Sequence, residues 1–189
     1  RRGYVQFCPY PPPDKWRFMH HLCFSIASFR NGFIYLILPL KGGNQEHREM
    51  TNGGPLVKAF FDDRTSSLQY IVTDPETGAC AIVDPVLDFD EKSGATATWS
   101  ADRLLGYVRQ EGLKIEWILD THPHADHFSA AAYLKDKTGA PMAIGDQVVQ
   151  VQKLWKEIYN LPDFPADGSQ WDKLFADGET FAVGRITAR

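Results

Sequence analysis

Ile115-Glu116-Trp117-Ile118-Leu119-Asp120-Thr121-His122-Pro123-His124-Ala125-Asp126-His127 is the stretch on which the reading of this chain turns. Ile115–Leu119 is rich in β-branched and aromatic residues and reads as a strand. It runs straight into Asp120-Thr121-His122, and Phe128–Lys137 beyond it reads as a helix stopped by Gly139 and Pro141. In an extended segment residues i and i+2 point to the same side, so His122 and His124 converge on one cation. Asp126 and His127 come where the chain turns toward the helix and face a second position nearby. All three histidines that come after Met50 lie in this window.

Those residue types in that pattern point to metal chemistry. A neutral imidazole donates a lone pair near neutral pH. The Asp126 carboxylate either ligates the metal or takes a proton from metal-bound water, which makes it the candidate catalytic residue. Imidazoles with a carboxylate suit zinc or iron, whereas calcium and magnesium prefer oxygen cages. Water on such a metal reaches a pKa near ~7, and an iron with open positions binds dioxygen. Histidine tags sit at termini and do not alternate with aspartate between a strand and a helix.

Working outward, the chain alternates strands and helices, which is the pattern of an α/β domain. Leu56–Phe61 and Leu68–Thr73 are strand-like, and Leu68–Thr73 forms a hairpin with Ala79–Val83 across the turn Asp74-Pro75-Glu76-Thr77-Gly78. Ser100 is the expected N-cap of a helix with Leu104, Leu105 and Val108 on one face, ended by Gly112. Met142–Ile144 is a short strand. Asp146–Tyr159 is a helix whose apolar residues form a broad face. Leu174–Phe175 and Phe181–Val183 are expected to pair as a hairpin across Asp177-Gly178. Asp88, Asp90 and Glu91 read as a solvated loop, Cys80 as a small buried apolar residue, and Trp117, Trp155 and Trp171 as packing residues.

The chain has 189 residues, a net charge of −4 and 43% hydrophobic residues. That is ordinary for a globular domain and argues against a nucleic-acid partner. Cys8, Cys23 and Cys80 lie far apart without a CxxC pair, so a reducing, cytoplasmic setting is expected. Residues 1–49 differ from the rest, with seven Lys/Arg against three Asp/Glu, where the remainder has 13 against 21. Residues 1–55 therefore read as an atypical leader, with Met50 as the expected native start, and 56–189 as the domain. The apolar stretch Leu22–Leu40 is interrupted by Arg30-Asn31-Gly32, and a central charge costs about 2.5–3.5 kcal/mol on insertion. Membrane insertion is not expected.

Thr121-His122-Pro123-His124-Ala125-Asp126-His127 resembles the THxHxDH signature of the metallo-β-lactamase superfamily. Ala81-Ile82-Val83-Asp84-Pro85 resembles that superfamily's first motif, whose aspartate braces the metal loop. The resemblance narrows to the persulfide dioxygenase branch, with its bacterial β-lactamase-like hydrolase members. It narrows through Tyr70–Asp74, Ala79–Pro85, His122–Tyr133, Ala143–Gln152 and Asp167–Phe175, and it covers about Leu56 to Arg189.

This resemblance implies an αββα sandwich, of which the chain carries the first half. It implies an Fe(II) enzyme that oxidises glutathione persulfide with O2 to sulfite and glutathione. His122 matches one of that branch's two histidine ligands. His124, Asp126 and His127 match direct ligands of dizinc relatives that, in the persulfide branch, mostly line the site. Asp84 and Thr121 are the expected supports of the metal loop. The remaining ligands of the superfamily come from a second half, a THTPGHT-like turn and the segments after it, and Arg189 stands about where that turn begins. The expectation is therefore a fragment without complete catalysis, whose sheet lacks its facing layer and is prone to homodimerise. Two alternatives stand beside the dioxygenase: a glyoxalase II-type hydrolase with two Zn2+ acting on a glutathione thioester, and a non-catalytic fragment.

Overall fold

A computed structural model describes residues 54–189. The readings of the leader, Met50 and Leu22–Leu40 fall outside the described residues. In chain order the elements are β1 (Leu56–Asp62), β2 (Ser67–Thr73), β3 (Ala79–Val83), β4 (Val86–Phe89) and β5 (Thr96–Ala97). Then come α1 (Trp99–Gln110), β6 (Lys114–Leu119), β7 (Phe128–Ser129), α2 (Ala131–Thr138), β8 (Met142–Gly145) and α3 (Val148–Ile158). The last strands are β9 (Lys173–Phe175), β10 (Phe181–Val183) and β11 (Ile186–Ala188). The main sheet has six strands in the order β1-β2-β3-β6-β8-β9. Its first three are antiparallel, and β3, β6, β8 and β9 run parallel. No helix among the described residues is long and apolar enough to cross a membrane.

Every residue of β3 is buried, as expected of a central strand covered on both faces. One face packs on helices. Ala101, Leu104, Leu105 and Val108 recur at helical spacing on α1 and meet Ile71, Cys80, Ile82, Ile118 and Leu134. Burial pushes the Cys80 thiol up to about 12, and the nearby Glu116 carboxylate adds to this, so it packs as a small inert group. The other face gathers Val72, Ala81, Val83, Leu119, Ala143, Phe175 and Val183.

The second face is not left bare, contrary to the expectation from the sequence. The β10–β11 hairpin lies on it. A register shift between Cys80 and Ala81 sets Trp117 opposite Ala81 and leaves Glu116 as the extra residue. Glu116 accepts the Gly184 N–H at 2.8 Å, and Trp117 donates its ring N–H to the Ala182 carbonyl at 3.0 Å. The Trp117 ring also packs on Phe175 and Phe181, at centroid distances of 5.5 and 5.9 Å.

Four further expectations change. Leu174–Phe175 does not pair with Phe181–Val183: β9 joins the edge of the main sheet beside β8, and β10 pairs with β11. The α3 helix buries only Val148 and Gln152, and leaves Leu154, Trp155 and Ile158 exposed. Asp88 is buried and caps α1 from a distance, accepting the Ser100 N–H and O–H at 2.9 Å each. The helix starts two residues earlier than an N-cap at Ser100 implies, at Trp99, with Thr98 in the N-cap position.

Asp74 stitches the β2–β3 turn to the last hairpin, accepting the Arg185 N–H at 2.8 Å. Gly184 sits beside it with φ +58, where an added Cβ would collide with Asp74 and Thr77. A Gly184→Ala change should therefore cost about 1–3 kcal/mol, the scale of a forced left-handed residue. Urea unfolding measures the loss, and hydrogen exchange should show the 181–188 amides opening first.

Candidate metal centre

The histidine loop leaves the C-terminal end of β6, next to the end of β3, which is where open parallel sheets place their sites. Its brace is Asp84, which lies just past β3 with φ 50. A left-handed aspartate is uncommon, and here it turns the carboxylate toward the neighbouring strand end. The Asp84 N–H donates to the Leu119 carbonyl at 2.8 Å, which joins the two strand ends. The carboxylate accepts the Thr121 N–H at 2.7 Å and the Thr121 hydroxyl at 2.8 Å, and it meets His124 Nε2 at 2.9 Å.

Each histidine ring commits one nitrogen to the protein. His122 Nδ1 lies 2.9 Å from the Thr121 hydroxyl oxygen. His124 gives Nε2 to Asp84, and its Nδ1 faces Asp126 Oδ1 at 3.6 Å. His127 Nδ1 lies 3.2 Å from both Asp126 Oδ2 and the Ser67 hydroxyl. The uncommitted nitrogens are then His122 Nε2, His124 Nδ1 and His127 Nε2. Metal-binding histidines characteristically anchor one nitrogen in this way and offer the other.

His127 Nε2 provides the direct test of fit. It is buried and has no hydrogen-bond partner among the described residues. A buried polar atom left unpaired costs about 1–3 kcal/mol, so such an atom calls for an occupant. A cation bound by a neutral imidazole satisfies it. The chemistry of the donor set, three imidazoles beside a carboxylate, suits zinc or iron.

The three histidine rings adjoin, with centroids 4.2 Å apart for His122 and His124 and 4.1 Å for His124 and His127. Ligand atoms of His124, Asp126 and His127 fall within 4.8 Å of one another, as do those of Asp84, Asp120 and His124. His122 flanks the first set through its ring contact with His124.

Four supporting residues escape a reading of the sequence: Ser67, Asp120, Ser129 and the site role of Trp171. Ser67 donates its hydroxyl to Asp126 Oδ2 at 2.6 Å. Asp120 closes the base of the loop by accepting the Ser129 hydroxyl at 2.7 Å and the Trp171 ring N–H at 3.0 Å. The Ser129–Asp120 bond spans the whole histidine window. Its one sequence signal is an acidic residue between an apolar strand and the motif. Trp171 reads as packing in the sequence, because nothing local shows its distant carboxylate partner.

Burial pushes the Asp120 carboxyl above its ordinary range, even against the bonds from Ser129 and Trp171. For Asp84 burial acts the same way, but the His124 and Thr121 bonds outweigh it and its pKa is lowered. Burial pulls His124 down, yet Asp84, Asp120 and Asp126 together hold it above the usual imidazole value. His122 is lowered by burial and by His124 beside it. Burial raises Asp126, but the Ser67 and His127 bonds prevail and bring it to about 2.

A carboxylate with a depressed folded pKa adds stability that is complete above its unfolded value and lost as pH falls through the folded one. For Asp126 that window runs from 3.8 down to about 2. In metal-free protein, the stability gap between the native chain and Asp126→Asn should be level between pH ~4 and ~5.5, below the titration of His124, and narrow toward pH ~2. Chemical denaturation across that range measures it. A gap that is flat through the window would contradict the Ser67–Asp126 geometry.

The metallo-beta-lactamase superfamily model matches residues 62–181. A "Beta-lactamase hydrolase-like protein" of Xylella fastidiosa (strain 9a5c) is 68% identical over 135 residues, 71% of this chain and 31% of that one. "Glyoxylase B2" of Dictyostelium discoideum is 45% identical over 70% of this chain and 46% of its own. "Persulfide dioxygenase ETHE1, mitochondrial" of Mus musculus is 26% identical over 49% of this chain and 33% of its own. The crystal structure of ETHE1 from Myxococcus xanthus superposes with a TM-score of 0.50 at 23% identity, covering 70% of this chain and 45% of that one. The chain thus spans between about a third and a half of the length of these relatives. With the family match over most of the described residues, the chain belongs to the metallo-beta-lactamase superfamily.

Proposed function

We propose that the histidine loop supplies half of a metal centre whose complete form is an iron-dependent persulfide dioxygenase, acting on glutathione persulfide. The observation that carries this reading is the state of Asp126. Its Oδ2 is taken up by Ser67 and His127, so the residue lines the centre and holds its neighbours instead of presenting both oxygens to metal. That is the behaviour expected of the persulfide branch. The similarity to the mouse protein named a persulfide dioxygenase supports the same reading.

In this reading His122 is a direct iron ligand through Nε2, and Thr121 and Asp84 hold the loop in place. His124 lines the centre with its Nε2 tied to the Asp84 carboxylate. Fe(II), when bound, supplies open coordination positions and the redox chemistry by which O2 oxidises a sulfane sulfur. The chain's own residues orient the imidazoles and close the loop through Asp120 and Ser129.

The second reading is a dizinc hydrolase of glutathione thioesters. One specific observation favours it: the unpaired His127 Nε2, which a second cation would satisfy. The Dictyostelium relative named a glyoxylase agrees with that chemistry.

Metal content and turnover separate the two when measured in parallel on this chain and on the full-length Xylella relative, loaded anaerobically with Fe(II) or Zn(II). The dioxygenase reading predicts one iron per full-length chain, persulfide-dependent oxygen uptake, and retention of that iron after the Asp126→Ala change. Two zinc ions per chain, thioester hydrolysis and loss of the second ion in Asp126→Ala would overturn it.

A further inference from the structure

We infer that Ser67, delivered by the β1–β2 hairpin into contact with both Asp126 and His127, is a positioning residue that sets the tautomer of His127 and so aims its Nε2 lone pair at the metal. The inference rests on the reading of the loop as a metal centre, in the zinc form where His127 Nε2 takes a cation, and it names a residue outside the motif as part of that centre.

The delivery is local chemistry. Asp62, the last residue of β1, accepts the Thr65 N–H at 2.9 Å and the Thr65 hydroxyl at 2.6 Å, which folds the turn. Ser66 then adopts φ 58, and Ser67 enters β2 opposite Asp62. Asp62 and Ser67 are both buried. Ser67 and the next inward residue, Gln69, face the loop region, and Gln69 accepts the Val86 N–H at 2.8 Å to fix the neighbouring strand. The serine hydroxyl is thus held on a rigid strand, 59 residues before Asp126 in sequence.

The hydroxyl has a single proton, and the 2.6 Å contact assigns it to Asp126 Oδ2. The Ser67 oxygen therefore faces His127 Nδ1, at 3.2 Å, as an acceptor. Asp126 Oδ2 faces the same nitrogen at 3.2 Å and also only accepts. Two acceptors on Nδ1 require the proton there, and this leaves the lone pair on Nε2. That nitrogen is the buried atom with no partner among the described residues. Without Ser67, Asp126 keeps the 3.2 Å contact to its sequence neighbour and the 3.6 Å one to His124 Nδ1, and its half-exposed side chain is free to turn toward solvent.

The test uses the 189-residue chain with Ser67→Ala and Ser67→Thr, the latter restoring the hydroxyl. Long-range 1H–15N spectra of the metal-free protein, at a pH where the imidazoles are neutral, read the His127 tautomer directly. The native chain and Ser67→Thr should show Nδ1–H alone, and Ser67→Ala a mixture with Nε2–H. Zn(II) titration by calorimetry should give about 10–100-fold weaker binding for Ser67→Ala, as for other residues that orient a ligand, with Ser67→Thr near native. If alanine prevents folding, Ser67→Cys fills the same space with a weak donor and should show the same tautomer mixing. A Ser67→Ala or Ser67→Cys chain that keeps a single Nδ1–H tautomer overturns the inference, whatever its affinity. A native chain that takes up no zinc would instead contradict the metal reading, and the tautomer spectra would still decide the role of Ser67.

Discussion

The Asp84 carboxylate is the constraint on which the site depends. Four contacts converge on one residue: its own N–H to Leu119, and its carboxylate with both donors of Thr121 and with His124. The first ties the ends of two parallel strands together, and the other three lay the histidine loop across them. Holding this arrangement requires a left-handed aspartate followed by proline, a backbone state that is tolerated where the surroundings over-determine it. The core beneath supplies that over-determination, because Ile82 and Ile118 on the two adjoining strands are fully buried. Packing energy in the sheet thereby maintains a polar loop that would not hold its shape alone.

Around that brace the loop is organised as a set of divided imidazoles. Thr121, Asp84 and Ser67 each engage one ring nitrogen of His122, His124 and His127, and the opposite nitrogens remain. Asp120 closes the loop from below through Ser129 and Trp171. The supports come from β2, the β3 end, the β6 end and the turn before β9, so the site draws on residues about a hundred positions apart. Such dispersion is what makes the loop rigid: no supporting residue can move without dragging a different part of the sheet.

The centre of this picture is legible in the sequence because it is local. The β3 run is continuous and apolar, the β6 run is rich in β-branched and aromatic residues, the motif follows directly on a strand, and Asp84 stands directly after its own. What is not legible depends on pairing across distance. Phe181–Val183 shows the same short apolar run whether it pairs with Leu174–Phe175 or with Ile186–Ala188; the choice is made by Trp117, whose ring and N–H capture the later hairpin. The periodicity of α3 predicts a helix over nearly its observed range, yet only Val148 and Gln152 of that helix are buried. Asp88 has the look of loop charge, since nothing in its neighbourhood reveals that it meets the Ser100 N–H twelve residues ahead. Ser67 is hidden for the same reason, being an ordinary strand serine until the fold sets it against Asp126.

The loop's chemistry depends on its uncommitted ring nitrogens holding a metal. Anomalous diffraction from crystals of this chain grown with Fe(II) or Zn(II), recorded on both sides of each metal edge, tests this most directly. The expected result is a peak bonded to His122 Nε2, the nitrogen that Thr121 leaves free, with Thr121, Asp84 and Ser67 still in contact with their ring atoms. A histidine loop with no anomalous peak, and with His127 Nε2 hydrogen-bonded to water or protein in the metal-soaked crystal, would contradict it.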